Sequence, residues 1–147
     1  GLLNFYAMGS EVEDKELTEA FISQTGWKTE FPRPYIVKSS DRLFNLLSQG
    51  THHGITATAN GFYGPQGRQL RLKAAVPDMN ERLNRFRHNG HRITNFEMET
   101  SALFGLGAAL GHDGRHLSRR VTVRTIQIPG GKHSLAACAS DFRRANS

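Results

Sequence analysis

Residues 52–64, HHGITATANGFYG, are the stretch from which the fold can be argued. Small and β-branched side chains favour a strand, and the Asn60-Gly61 pair that follows favours a tight loop. A second stretch, residues 93–113 (ITNFEMETSALFGLGAALGHD), begins like a strand and becomes a small-residue helix that ends at Gly111. Because strands and helices alternate, the sequence predicts an α/β fold.

Three further segments have the apolar spacing of amphipathic helices, namely residues 11–25, 40–50 and 77–90. The second has Ser40 or Asp41 in position to act as its N-cap. The side chains predicted to face the core are Leu17, Ala20 and Phe21 in the first segment, Leu43, Leu46 and Leu47 in the second, and Met79, Leu83 and Phe86 in the third.

The charge of the chain is concentrated in its last part. The 147 residues carry a net charge of +6, and their number fits one domain with its own core. Residues 1–113 hold 12 Lys+Arg and 12 Asp+Glu, whereas residues 114–147 hold 7 basic residues and Asp141. We therefore divide the chain into a domain, 1–113, and a basic tail, 114–147. The basic residues of the tail are Arg115, Arg119, Arg120, Arg124, Lys132, Arg143 and Arg144.

Within the tail, residues 121–128 (VTVRTIQI) alternate as a strand would. Both faces of a central parallel strand are usually buried. Thr122, Arg124 and Ile126 would share one face of this strand, and they are an odd set for a buried face. We therefore expect either an edge strand or a disordered segment here.

Composition disfavours several classes of protein. No run approaches the roughly 18 apolar residues of a membrane span. The single Cys138 cannot form an internal disulfide, which favours a reducing compartment, and we expect the cytoplasm. The neighbouring histidines His52 and His53, and His112 with His116 four residues on, lack the H-E-x-x-H pattern, so we expect no metal.

The segment GFYGPQGR, residues 61–68, places Gln66 and Arg68 two apart within a glycine-rich loop. Side chains two apart in extended backbone point the same way, so the pair can converge on one ligand. Uracil presents acceptor, donor and acceptor along one edge, which a glutamine amide and an arginine can satisfy together, with Phe62 on the ring face. The plainer interpretation is a glycine loop with solvated polar side chains.

The segment NFEMETSALF, residues 95–104, places Glu97 and Glu99 where a strand becomes a helix. Acids favour a helix N-terminus, so capping is the plainer interpretation. Thr100 and Ser101 already offer cap chemistry, however, and a carboxylate can accept from two neighbouring hydroxyls, as in a ribose diol. The sequence therefore allows a sugar-binding carboxylate here.

Together, HHGITATANGFYGPQGRQLRL (52–72) and GHRITNFEMETSALFGLGAALGH (90–112) resemble the nucleoside phosphorylases, and most closely the uridine phosphorylases. The similarity covers about 1–113. The resemblance implies that Gln66 and Arg68 recognise uracil and that the Glu97–Glu99 segment lines the ribose pocket. The substrate-binding residues it implies are Phe62, Gln66, Arg68, Glu97, Met98 and Glu99, with Arg68 and Glu99 catalytic.

The implied reaction is that of a pentosyltransferase of pyrimidine salvage: uridine and phosphate give uracil and ribose 1-phosphate. Arg68 would stabilise charge developing on the uracil oxygens, and Glu99 would hold the diol and favour the positive sugar. Phosphate is a co-substrate, and no cofactor is implied. The implied fold is a three-layer α/β domain with a central mixed sheet and flanking helices, and the implied assembly is a homo-oligomer.

Two departures from the family pattern set expectations. The similarity covers only the C-terminal half of the family domain, and the family's phosphate-binding residues lie upstream of the position of Gly1, where an apolar run opens the chain. We therefore assign no phosphate-binding residue here, and turnover by this chain is an open prediction. After Asp113 the pattern changes abruptly, which indicates a shifted reading frame or a vector-derived tail.

Two alternatives remain open from the sequence. One is a purine or methylthioadenosine phosphorylase of the same fold, against which Gln66 and Arg68 argue. The other is a non-catalytic protein whose arginine-rich tail contacts nucleic acid, although the neutral 1–113 region favours no such partner.

Overall fold

The computed structural model describes residues 6, 9–112 and 120–128. Helices and strands alternate along the described chain, so the predicted α/β class is confirmed. The elements are α1 Gly9–Val12, α2 Lys15–Thr25, β1 Ile36–Lys38, α3 Asp41–Leu47, β2 His52–Ala59, a 3-10 turn Gly64–Gln66, α4 Met79–Arg85, β3 Ile93–Glu97, α5 Thr100–Ala109 and β4 Arg120–Ile128.

The strands form one mixed sheet in the order β1-β4-β2-β3. β2 runs parallel to both β3 and β4, whereas β1 runs antiparallel to β4. The expectation of an edge strand or a disordered segment at 121–128 is therefore wrong, because β4 lies between β1 and β2. All eight residues of β2 have a partner in β4. Because β4 also pairs with β1, it joins β1 to β2 and β3.

Apolar side chains pack on both faces of this sheet. Ile36 belongs to a cluster with residues of α2 and α4, whereas its neighbours Tyr35 and Val37 pack with Phe104 of α5. Since successive strand residues point to opposite faces, α2 and α4 cover one face and α5 covers the other.

The predicted core positions of α2 and α4 are confirmed, with Ala20 only half-buried. Leu17, Phe21, Met79, Leu83 and Phe86 are all buried. The rings of Phe21 and Phe86 meet edge-on with centroids 5.4 Å apart, a favoured aromatic geometry, and this contact joins α2 to α4.

Helix α3 begins at a predicted N-cap, but it packs differently from the prediction. Ser40 is its N-cap, because its hydroxyl accepts from the backbone N–H of Leu43 at 3.4 Å. Leu46, predicted to be buried, is 65% exposed. Phe44 packs instead, with its ring centroid 4.9 Å from that of His53. Leu46 lies two positions further along the helix, so it points to the opposite side.

In the described part of the chain, no helix combines the length and the apolar character that crossing a membrane requires.

Candidate functional site

The two segments singled out in the sequence leave the sheet at the same end of its strands. β2 and β3 are parallel neighbours, and Thr58 pairs with Glu97 near their carboxyl ends. The glycine loop, residues 60–68, follows β2, and the acidic segment, residues 97–99, closes β3. Ligand sites of open α/β sheets lie beyond the carboxyl ends of the strands, which is where both segments emerge.

The glycine loop is a tight turn and not the extended backbone from which convergence was predicted. Residues 64–66 form one 3-10 turn, and Gly67 follows with φ of 78°, in the left-handed region that favours glycine. The backbone N–H of Arg68 donates to the carbonyl of Tyr63 at 2.8 Å, which closes the loop.

Gln66 and Arg68 nevertheless converge, because they contact each other. Arg68 Nη1 donates to Gln66 Oε1 at 2.7 Å and also to the backbone carbonyl of Phe62. A guanidinium can only donate, so the Gln66 atom that faces it is the oxygen, and the Nε2 group is left as donor for a ligand. Gln66 is 6% exposed, which keeps its amide in one place.

Phe62 already has a partner on one face of its ring. The Arg68 guanidinium carbon lies 3.8 Å from the ring centroid, and Tyr63 meets the ring edge-on with centroids 5.4 Å apart. The side chain is still 51% exposed. A planar ligand would therefore stack on the free face of Phe62 or replace the guanidinium.

Glu97 binds within the chain through both of its oxygens. Its Oε1 accepts from the hydroxyl of Thr58, and its Oε2 accepts from the backbone N–H groups of Glu99 at 2.6 Å and Thr100 at 2.5 Å. The carboxylate thus satisfies N–H groups at the start of α5, where a negative charge is stabilising. The plainer capping interpretation therefore holds for Glu97, which provides the cap chemistry that we had attributed to Thr100 and Ser101.

The hydroxyl of Thr100 makes no hydrogen bond to any described residue, although it is buried. Ser101 uses its backbone N–H to donate to Thr58 at 2.9 Å.

Glu99 differs from Glu97 in being exposed. Its Oε2 accepts from the backbone N–H of Met98 at 3.3 Å, and the rest of the carboxylate faces outward. Met98 is 41% exposed and lies between the two acids. The acidic segment therefore combines one carboxylate that fixes the backbone with one that is accessible to a ligand.

Sequence reasoning missed Thr58, whose hydroxyl links β2 to both Glu97 and Ser101. The signal that could have identified it is the alternation of β2, in which Thr56 and Thr58 share the face opposite Ala57. A buried polar residue needs a partner, and the nearest carboxylate in the neighbouring strand provides one.

An open groove of about 1030 Å³ adjoins the glycine loop. It is lined by Tyr63, Gly64, Arg68, Gln69, Leu70, Arg71, Leu72, Lys73 and Ala74. This lining contains cationic, amide and apolar groups but no carboxylate, which suits a polar or anionic ligand.

Among residues 6, 9–112 and 120–128, no cluster of three or more His, Cys, Asp or Glu could hold a metal ion. His116 lies outside these residues. Neither family models, nor curated proteins, nor solved structures give a match to this chain. The chain is an α/β protein in which both polar segments emerge at the carboxyl ends of two parallel strands.

Proposed function

We propose that this chain carries the uracil and ribose determinants of a uridine phosphorylase within a nucleoside-phosphorylase-like three-layer fold. The observation that supports this proposal best is the placement of the two segments. The glycine loop and the acidic segment follow β2 and β3, whose ends pair through Thr58 and Glu97. A nucleoside needs its base and its sugar bound side by side, and these two segments offer the chemistry for each.

Gln66 and Arg68 recognise the base. With Oε1 of Gln66 turned to the guanidinium, Nε2 donates to one uracil oxygen, and Oε1 keeps a second lone pair for the ring N–H. Arg68 has further N–H groups for the other oxygen. Cytosine would present a reversed donor pattern at this edge and leave buried polar groups unpaired, so it is rejected.

Glu99 binds the sugar. An exposed carboxylate accepts from two adjacent hydroxyls of ribose, and its charge favours the positive character that the sugar gains as the bond to uracil breaks. Arg68 stabilises the negative charge that grows on the leaving uracil, which lowers the barrier because this charge is absent from the ground state. Phosphate enters as co-substrate, with no residue of this chain assigned to it.

The test is release of uracil from uridine by the purified chain, with and without phosphate. Glu99→Gln keeps the shape of the side chain and removes its charge, and Arg68→Ala removes the base contact. Arg85→Ala is the matched control, since it removes an arginine of α4 that lies outside both segments and whose side chain is 81% exposed. If the chain turns uridine over, phosphate-dependent release should fall by at least about 100-fold in both site variants and stay unchanged in the control.

Calorimetric titration with uridine and uracil separates binding from turnover. A folded chain that binds both ligands without releasing uracil would retain recognition without catalysis. A folded chain that binds neither ligand would refute the proposal. Binding of inosine or adenosine in preference to uridine would favour the purine-type alternative.

A further inference from the structure

Thr58 lies at the junction between the glycine loop and the acidic segment. It is the penultimate residue of β2, and it is 2% exposed. Its hydroxyl donates to Glu97 Oε1 and accepts from the backbone N–H of Ser101 at 2.9 Å. A hydroxyl has one proton to donate and lone pairs to accept, and Thr58 uses both capacities.

Glu97 links Thr58 to the backbone of Glu99, the accessible acid. The oxygen not bonded to Thr58 accepts from the backbone N–H groups of Glu99 and Thr100. A continuous series of hydrogen bonds therefore runs from the buried hydroxyl in β2, through one carboxylate, to the backbone that holds the exposed carboxylate of Glu99. Hydrogen bonds to an ionised acceptor are stronger than neutral ones, so Glu97 fixes this backbone well.

We propose that Thr58 is a positioning residue for ribose recognition. It holds Glu97, which holds the backbone of Glu99, so that the Glu99 carboxylate stays where it can bond both sugar hydroxyls. This inference rests on the proposed function and adds to it a residue whose own side chain is buried. Because the glycine loop begins just after Thr58, the same strand end places the base-binding and sugar-binding segments relative to each other.

The consequence of losing the hydroxyl is local and specific. Valine keeps the β-branched shape but leaves Glu97 Oε1 and the Ser101 N–H without their partner. The acidic segment would then sample more positions, and the sugar would be bound less tightly. The contact between Gln66 and Arg68 does not pass through Thr58, so base recognition should survive.

The experiment compares Thr58→Val with Thr58→Ser, which restores the hydroxyl. Thr56→Val is the matched control, because Thr56 lies two residues earlier in the same strand and its hydroxyl donates to Asn95 Oδ1 at 2.7 Å. Calorimetry gives Kd for uridine and for uracil. We expect Thr58→Val to weaken uridine binding by about tenfold and to leave uracil binding within about twofold, with Thr58→Ser and Thr56→Val close to the parent.

A second measurement is independent of ligand. Amide hydrogen exchange at Glu99, Thr100 and Ser101 should accelerate in Thr58→Val and stay unchanged in Thr56→Val.

The outcomes separate this inference from the proposed function. If the parent binds neither uridine nor uracil, the proposed function fails and the inference fails with it. If the parent binds both, an equal loss for the two ligands, or no loss, in Thr58→Val overturns the inference alone. Unchanged amide exchange in Thr58→Val would also overturn it.

Discussion

At the scale of single residues, the contact between Arg68 and Gln66 decides which atoms remain for a ligand. The amide oxygen faces the guanidinium, and the amide nitrogen faces away from it. A lysine at position 68 could donate to the Gln66 oxygen. It could not also stack flat on the ring of Phe62, as the guanidinium does. The base recognition that we propose would therefore depend on the pair and not on either residue alone.

Gln66→Glu tests whether the Gln66 oxygen serves Arg68 while the amide nitrogen serves the ligand. A carboxylate still accepts from Arg68, so the glycine loop should keep its shape and the melting temperature should stay within about 2 °C of the parent. The variant lacks the amide donors, and we expect uracil to bind at least about tenfold more weakly. Calorimetry and thermal melting together check both expectations. Unchanged uracil affinity would mean that Gln66 Nε2 does not face the base.

The glycines of the loop are not equivalent. A Cβ at Gly61 would lie 2.9 Å from Cγ of Pro65, whereas a Cβ at Gly64 would meet no atom within 4 Å. Pro65 has a closed ring and cannot move aside by changing rotamer. Gly61→Ala should therefore displace the loop and destabilise the fold by about 1–3 kcal/mol, and Gly64→Ala should change stability by less than about 0.5 kcal/mol.

Urea unfolding of the two variants measures this difference. Equal free energies of unfolding for Gly61→Ala and Gly64→Ala would show that the loop tolerates a methyl group beside Pro65.

At the scale of elements, β2 and β3 approach each other closely at Gly54. A Cβ built there would lie 2.1 Å from Cγ2 and 2.8 Å from Oγ1 of Thr94. The register of β2 shifts just after this point, against β4 between Gly54 and Ile55 and against β3 between Ile55 and Thr56. Glycine inside a strand is otherwise unfavourable, and close approach of a neighbour is the reason it is needed here.

Gly54→Ala should therefore destabilise the fold by about 1–3 kcal/mol through overpacking. Thr94→Ser removes the closest carbon and keeps the hydroxyl, so the double variant should recover part of this loss. Urea unfolding of the two single variants and the double variant forms a complete cycle. Additive losses would contradict steric conflict with Thr94 as the cause.

Local patterns in the sequence predict some elements well. α2, α4, β2 and β3 each carry their own periodicity, and the core positions Phe21, Leu83 and Phe86 follow from it. The position of β4 could not be predicted in the same way, because it depends on which sheet edges elsewhere in the chain are open. The same limit applies to the candidate site. Spacing pointed to Gln66 with Arg68, and the resemblance implied the role of Glu99, but the link through Thr58 exists only once β2 and β3 are paired.

At the scale of the whole molecule, β4 connects the sheet. β1 pairs with β4 along Ile36–Lys38, and β2 pairs with β4 along His52–Ala59, so removing β4 separates β1 from the other strands. The boundary placed after Asp113, from charge and from the extent of the resemblance, thus does not coincide with the limit of the sheet.

A chain that ends at Asp113 should therefore lose cooperative thermal unfolding, whereas a chain that ends at Ile128 keeps every strand pairing described and should retain it. Circular dichroism in the far and near ultraviolet follows both transitions. Cooperative melting of the shorter chain would show that β4 is dispensable.

To test the nucleic-acid alternative, the arginines beyond Ile128 should be replaced by glutamine, since truncation at Asp113 would remove β4 as well.

Helix α5 offers a surface for the homo-oligomer that we propose from the resemblance. Residues 100–109 contain no charged side chain, and Leu103 and Leu110 are 54% and 69% exposed. An apolar helix of this kind is usually covered. Light scattering should give a mass above one chain, and Leu103→Ser with Leu110→Ser should lower it. A monomeric parent would refute the expectation.

The order of strands along the chain also affects how the protein is made. During synthesis β1, β2 and β3 leave the ribosome first, and the strand that fits between β1 and β2 comes after all three. Until then, one long edge of β2 has unpaired N–H and C=O groups that can pair with another nascent chain. We therefore expect the yield of soluble protein to depend on expression temperature and on chaperones that shield exposed strands before release.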